Sequence, residues 1–139
     1  MSPDELARAC AEALWAIDGA SRGLGMEILH VAPGRATVGM TVRESMVNGH
    51  GTAHGGLIFT LADSAFAFAC NSYGERTVAT HCSITFVRPG KLGDRLVATA
   101  TEVSKSGKSG IYDIRVAVGE VTIAEFRGHS LTVGGALLG

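Results

Sequence analysis

The chain has 139 residues, 13 acidic and 12 basic side chains, and a formal net charge of -1. That length suits one domain, residues 1–139, with a core large enough to fold without disulfides or metal. The near-neutral balance gives no electrostatic reason to expect nucleic acid. The start Met1-Ser2-Pro3-Asp4-Glu5 is acidic where a secretory signal would be basic, and no apolar run is long enough to span a bilayer, so a cytoplasmic protein is expected. Cys10, Cys70 and Cys82 fit neither a disulfide framework nor a zinc site and read as reduced core thiols.

In chain order, Ser2-Pro3-Asp4-Glu5 is a capping box with proline at the first helical position. Leu6, Cys10, Ala13, Leu14 and Ile17 then recur at helical spacing, predicting a helix over 2–18. Two extended segments, 26–32 and 35–42, flank a Pro33-Gly34 turn and predict a hairpin. A loop over 43–53 leads into an apolar helix from His54 or Gly55 to about Tyr73. Strand patterns follow at 77–87, 92–104, 111–118 and 121–133, and residues 134–139 read as a loose tail. The short connections favour antiparallel pairing. The expected class is α+β, with a curved antiparallel sheet wrapped around the long central helix, which buries most of its faces.

Asp63 is the only charged residue in that central helix. An ionised carboxylate among apolar neighbours costs several kcal/mol, on the order expected after relaxation, unless something compensates. Asp63 lies too deep in the helix to cap it, so the bland account has it bonded to Thr60, to a loop or to another subunit. The functional account combines two parts. N–H groups of Gly55 and Gly56 at the helix start can stabilise an oxyanion, and a carboxylate can attack or activate water. At about 1.5 Å per residue, Gly55 and Asp63 are about 12 Å apart along the helix. One chain cannot bring both to one carbonyl carbon, whereas two antiparallel copies of the helix about a twofold axis can.

Other signals are weaker. His50 and His54 are spaced like metal ligands, but neither has an acidic neighbour as in a His-Glu-x-x-His site, and no metal is expected. Cys82 and His81 are adjacent in a predicted strand and so point to opposite faces, which works against a nucleophile pair. Arg88, Lys91, Lys105 and Lys108, with Arg95, are candidates for phosphate contacts or simply solvated turn residues.

Asn48-x-x-Gly51-x-x-His54-Gly55-Gly56 followed by Leu61-Ala62-Asp63 resembles the signature of hotdog-fold acyl-CoA thioesterases. The run Asp63 to Ser72, with Phe86-Val87-Arg88-Pro89-Gly90, Gly93-Asp94, Tyr112-Asp113-Ile114 and Phe126-Arg127-Gly128, resembles the phenylacetic acid degradation (PaaI) branch. The resemblance implies hydrolysis of phenylacetyl-CoA or its ring-hydroxylated relatives, without cofactor or metal, by dimers that pair into a homotetramer. It also implies Asp63 as nucleophile or general base, the Gly55 N–H as oxyanion donor, His54 shaping that hole, and Asn48 orienting the carboxylate or the water. Ala67 stands where some aryl-CoA thioesterases of this fold carry a hydroxyl, so the acyl group stays open. The alternatives are a noncatalytic acyl-CoA-binding protein and, further off, a hydroxyacyl-thioester dehydratase, which would carry a proline near its histidine.

Overall fold

The computed structural model describes residues 1–139. Helix α1 spans Pro3–Trp15. Its capping box forms as the sequence predicts, the Glu5 N–H donating to Ser2 Oγ and the Ser2 N–H to Glu5 Oε1. The helix expected over 2–18 stops early, and a second short helix, α2, spans Gly19–Gly23. Asp18 explains the break, since its carboxylate accepts the Ser21 N–H at 2.9 Å and serves better as an N-cap than inside a helix. Ile17, placed by periodicity on the apolar face of one long helix, is 81% exposed at the junction.

Strands β1, Glu27–Ala32, and β2, Arg35–Thr41, form the expected hairpin, with Gly34 at φ 70° in its turn. The loop that follows holds one 3-10 turn, Glu44–Met46. Helix α3 spans Gly55–Cys70, ending three residues before the expected Tyr73. Asn71 stops it: its amide donates to the Thr77 carbonyl and its Oδ1 accepts the Thr77 N–H, tying the helix end to the next strand. Strands β3, Glu75–Phe86, β4, Arg95–Ser106, β5, Ser109–Val118, and β6, Val121–Ala136, complete one antiparallel sheet in the order β1-β2-β4-β5-β6-β3.

Two expectations are corrected here. The segment 105–110 is a tight hairpin, with Lys105 inside β4. The stretch 134–139 is not all loose: β6 continues to Ala136 because Glu75 pairs with it, and the Leu137 N–H bonds the Gly74 carbonyl.

The sheet wraps α3, which packs against every strand. Val38, Met40, Leu96, Ala98, Ala100, Ile114, Val116 and Ala124 alternate inward onto Leu61, Ala62, Ala65 and Ala69, all fully buried. Phe66 packs on Tyr112 and Phe126, and Phe68 on Trp15, so both are core residues. Gly128 makes room for Phe66, since a Cβ there would lie 2.6 Å from the ring. No helix is long and apolar enough to cross a membrane.

Candidate active site

His54 is the N-cap of α3, in the extended conformation at φ -62° and ψ 129°. Its Nδ1 accepts the Gly56 N–H at 2.9 Å, which leaves the imidazole proton on Nε2. The Leu57 and Ile58 N–H groups both bond the His54 carbonyl. Of the four donors that a helix start leaves over, only the Gly55 N–H keeps no partner. Phe86 lies against it, with the ring 3.0 Å from where a Gly55 Cβ would be. Glycine is therefore the residue that fits between helix start and ring.

Asn48 organises the approach to this point. Its Oδ1 accepts the His50 N–H, the Thr52 N–H and the Thr52 hydroxyl, closing the loop before α3. Its amide nitrogen makes no bond, so it is the free end of the side chain. Asn48, Gly55, Ile58, Phe86 and Arg88 line a cavity of about 360 Å³. The Arg88 guanidinium is held at its rim by the Thr122 carbonyl, 3.1 Å away.

Asp63 is half-buried two turns further along α3 and accepts no hydrogen bond within the chain. Thr60, the nearest candidate donor in sequence, sends its hydroxyl to the Gly56 carbonyl instead. Burial, and then the charge of Asp18, push the Asp63 carboxyl above its ordinary value. Neither neighbouring thiol competes as a nucleophile. Burial pushes Cys70 up to about 12, and burial and the Asp63 charge raise Cys82. His81 points to the outer face of the sheet, away from Cys82, and rests on His129 with ring centroids 5.4 Å apart.

The structure thus brings Asn48, His54, Gly55 and Arg88 together at one end of α3 and leaves Asp63 apart from them. It also separates the basic candidates. Lys91 lies in the turn beyond Arg88, its N–H on Asp94, while Lys105 and Lys108 line a second, smaller cavity beside Cys70 and Tyr73 at the other end of α3. Lys105 sits over the Tyr73 ring at 4.9 Å. Sequence reasoning missed Phe86, an aromatic in a strand pattern with nothing to mark it, and Asp18, which the Asp18-Gly19 pair could have flagged as an N-cap.

One long helix wrapped by a six-stranded antiparallel sheet defines a hotdog-fold protein, and this one keeps an unpaired N–H at the helix start and a lone carboxylate along the helix. Residues 50–125 match the family model described as Thioesterase superfamily, and the chain belongs to that family. It is 45% identical to the acyl-coenzyme A thioesterase PaaI of Escherichia coli K12 over 130 residues, 93% of each chain. The E. coli PaaI structure, from the phenylacetic acid degradation operon, superposes with a TM-score of 0.95 at 43% identity, over 97% of this chain and 99% of that one. The phenylacetic acid degradation protein PaaI of Thermus thermophilus gives 0.81 at 40% identity, over 84% and 100%. A Streptococcus mutans protein bound to acetyl CoA gives 0.76 at 27% identity, over 80% and 90%.

Proposed function

We propose that this chain is an acyl-CoA thioesterase of phenylacetate degradation, cleaving phenylacetyl-CoA or ring-hydroxylated phenylacetyl-CoA to the free acid and CoA at sites shared by two subunits. The observation that carries the site is a pair of complementary vacancies on one helix: a Gly55 N–H with no acceptor and an Asp63 carboxylate with no donor. Neither can serve the other within one chain, because about 12 Å separates them.

A second copy supplies the match. Gly56, Thr60, Asp63 and Ala67 form an incompletely covered stripe on one face of α3. Next to it runs β3, one of the two edge strands, whose free edge invites pairing and which ends in the exposed Phe86, followed by the exposed Val87. A twofold axis that pairs β3 with its copy sets the α3 helices antiparallel, so Asp63 of one protomer faces the helix start of the other. The same crossing puts the Arg88 group of one protomer and the Lys105–Lys108 group of the other on two sides of one cleft, where both can meet CoA phosphates. We extend the assembly to a homotetramer through the outer sheet face, which carries the paired charges Arg127–Asp113 and Arg115–Glu125. Three free cysteines support a reducing, cytoplasmic setting.

In the reaction the thioester oxygen accepts the Gly55 N–H, and the helix start stabilises the charge that develops there. His54 fixes that geometry by occupying the Gly56 donor, and the Asn48 amide is free to orient a water or the carboxylate. Asp63 then acts in one of two ways. It attacks the carbonyl carbon, expels CoA thiolate and forms a mixed anhydride that water hydrolyses, or it takes a proton from the attacking water. A thiolate leaves readily, so one carboxylate and one oxyanion donor suffice. The test is thiol release from phenylacetyl-CoA and 3,4-dihydroxyphenylacetyl-CoA, with short straight-chain acyl-CoAs as controls. Release that collapses in Asp63→Ala is expected. Equal release by both proteins, with folding and assembly verified, would remove Asp63 from the chemistry, and no release by either would favour an acyl-CoA-binding role.

A further inference from the structure

From Ser64, the residue that follows Asp63 on α3, a short chain of oxygen atoms leads to a second carboxylate. Asp18 accepts the Ser21 N–H with Oδ1 at 2.9 Å and the Ser21 hydroxyl with Oδ2 at 2.6 Å. Ser21 Oγ and Ser64 Oγ are 2.7 Å apart, and both serines are buried. Counting protons fixes the direction of this chain. Ser21 gives its single hydroxyl proton to Asp18 Oδ2, so Ser64 must donate to Ser21. Helix α2, five residues long with glycine at both ends, has little stability of its own, so this chain helps pin it against α3.

We propose that Asp18 is a positioning residue for the thioesterase reaction: anchored through Ser21 and Ser64, it holds a fixed negative charge beside the reacting Asp63 carboxylate and tunes its reactivity. This role rests on the reading of Asp63 as the reacting group. The Asp63 carboxyl stands above its ordinary value first through burial and second through the charge of Asp18. Cys70 on α3 and Cys82 on β3 also sense the Asp63 charge, and burial together with that charge holds both as neutral thiols. Asp18 therefore adds a charge contribution to the effect of burial on Asp63. Repulsion between the two carboxylates is strongest while Asp63 is ionised and is relieved as Asp63 gains a proton or a bond to the carbonyl carbon. An interaction unfavourable in the ground state and weaker in the transition state lowers the barrier between them.

Asp18→Asn separates this charge from the structural role of the residue. Asparagine caps helices as well as aspartate. Its Oδ1 can keep the Ser21 N–H, and its amide can donate to Ser21 Oγ, whose proton then turns to Ser64. The chain reverses and the charge disappears. Asp18→Ser, another good cap, removes the same charge in a second background. Two readouts are compared with wild type: the acid limb of the kcat/KM profile for phenylacetyl-CoA, and the titration of the Asp63 carboxyl followed by 13C NMR, which needs no turnover. Both should move to lower pH in both variants, with a severalfold fall in kcat and little change in KM. An Asp63-dependent reaction with an unmoved Asp63 titration would overturn the role of Asp18 alone. Thiol release that survives Asp63→Ala would instead overturn the assignment of Asp63, and the role of Asp18 with it.

Discussion

A shared site makes a quantitative prediction that a site within one chain cannot. Gly55→Pro is the perturbation at the helix start. Position 55 is the first residue of α3, where proline is tolerated and its missing N–H removes only the orphan donor. His54 already has the extended conformation that a residue before proline needs. The new ring meets Phe86, whose half-exposed side chain has to shift to admit it. Asp63→Ala is the complementary perturbation. Each variant alone forms dimers with two defective sites, and loss of one oxyanion donor costs about 10²–10³ in kcat. After equal amounts are denatured together and refolded, about half of the dimers contain one chain of each kind. Each mixed dimer has one doubly defective site and one site with an intact Gly55 N–H facing an intact Asp63, so about a quarter of wild-type activity returns. Native mass spectrometry counts the mixed dimers, and thiol release from phenylacetyl-CoA measures the recovery. A rate that stays at the mean of the two variants, with half of the dimers shown to be mixed, would refute the shared site.

Asp63→Asn should stabilise the protein while abolishing turnover. A carboxyl whose value is raised on folding costs stability when ionised, so the gain is full above the folded value and vanishes as pH falls below the unfolded one, which urea titrations at several pH values will show. Gly128→Val should destabilise by about 1–3 kcal/mol and lower the melting temperature by several degrees, because the added Cβ falls 2.6 Å from a Phe66 ring already wedged between Tyr112 and Phe126. A melting curve checks it, and an unchanged Tm would mean that the ring has room to move. Arg88→Ala, and Lys105→Ala with Lys108→Ala, should raise KM for CoA thioesters and leave KM for the matching pantetheine thioesters unchanged. An equal rise for both substrates would show that these residues do not read phosphate.

What the sequence made legible followed from strong local signals. The capping box at Ser2 and Glu5, the Pro33-Gly34 turn and the apolar run of α3 each have a single physical reading, and each forms as read. The failures arose where one pattern fits two structures. Asp18-Gly19 can lie inside a periodic helix or start a new one, and only the burial of Ser21 on Ser64 decides between them. Gly134 and Gly135 suggest a loose end, but an edge strand lying alongside supplies backbone partners and extends β6 past them. At the site, the spacing of Gly55 and Asp63 already excluded a single-chain arrangement. The spacing could not reveal that Asn48 spends its carbonyl on its own loop, or that His54 takes the Gly56 donor and leaves Gly55 as the one free N–H.

That last feature separates a catalytic interface from a merely structural one. The chain satisfies its buried polar side chains internally, yet leaves one donor and one acceptor of α3 without a partner. If the two copies used these groups only to hold together, the Asp63 carboxylate would bond directly to the helix start of its partner. It would then act as an anion at a positive helix end, and that contact would pull its titration below the ordinary carboxylate value. A site that admits a thioester must instead keep the two groups a carbonyl apart. In that arrangement Asp63 should keep the upward shift that burial and Asp18 give it in the single chain. The direction in which Asp63 titrates in the assembled protein therefore distinguishes the two: a raised value fits a cleft waiting for an acyl group, and a lowered one means that the cleft is closed by a salt-like cap and that the chemistry lies elsewhere.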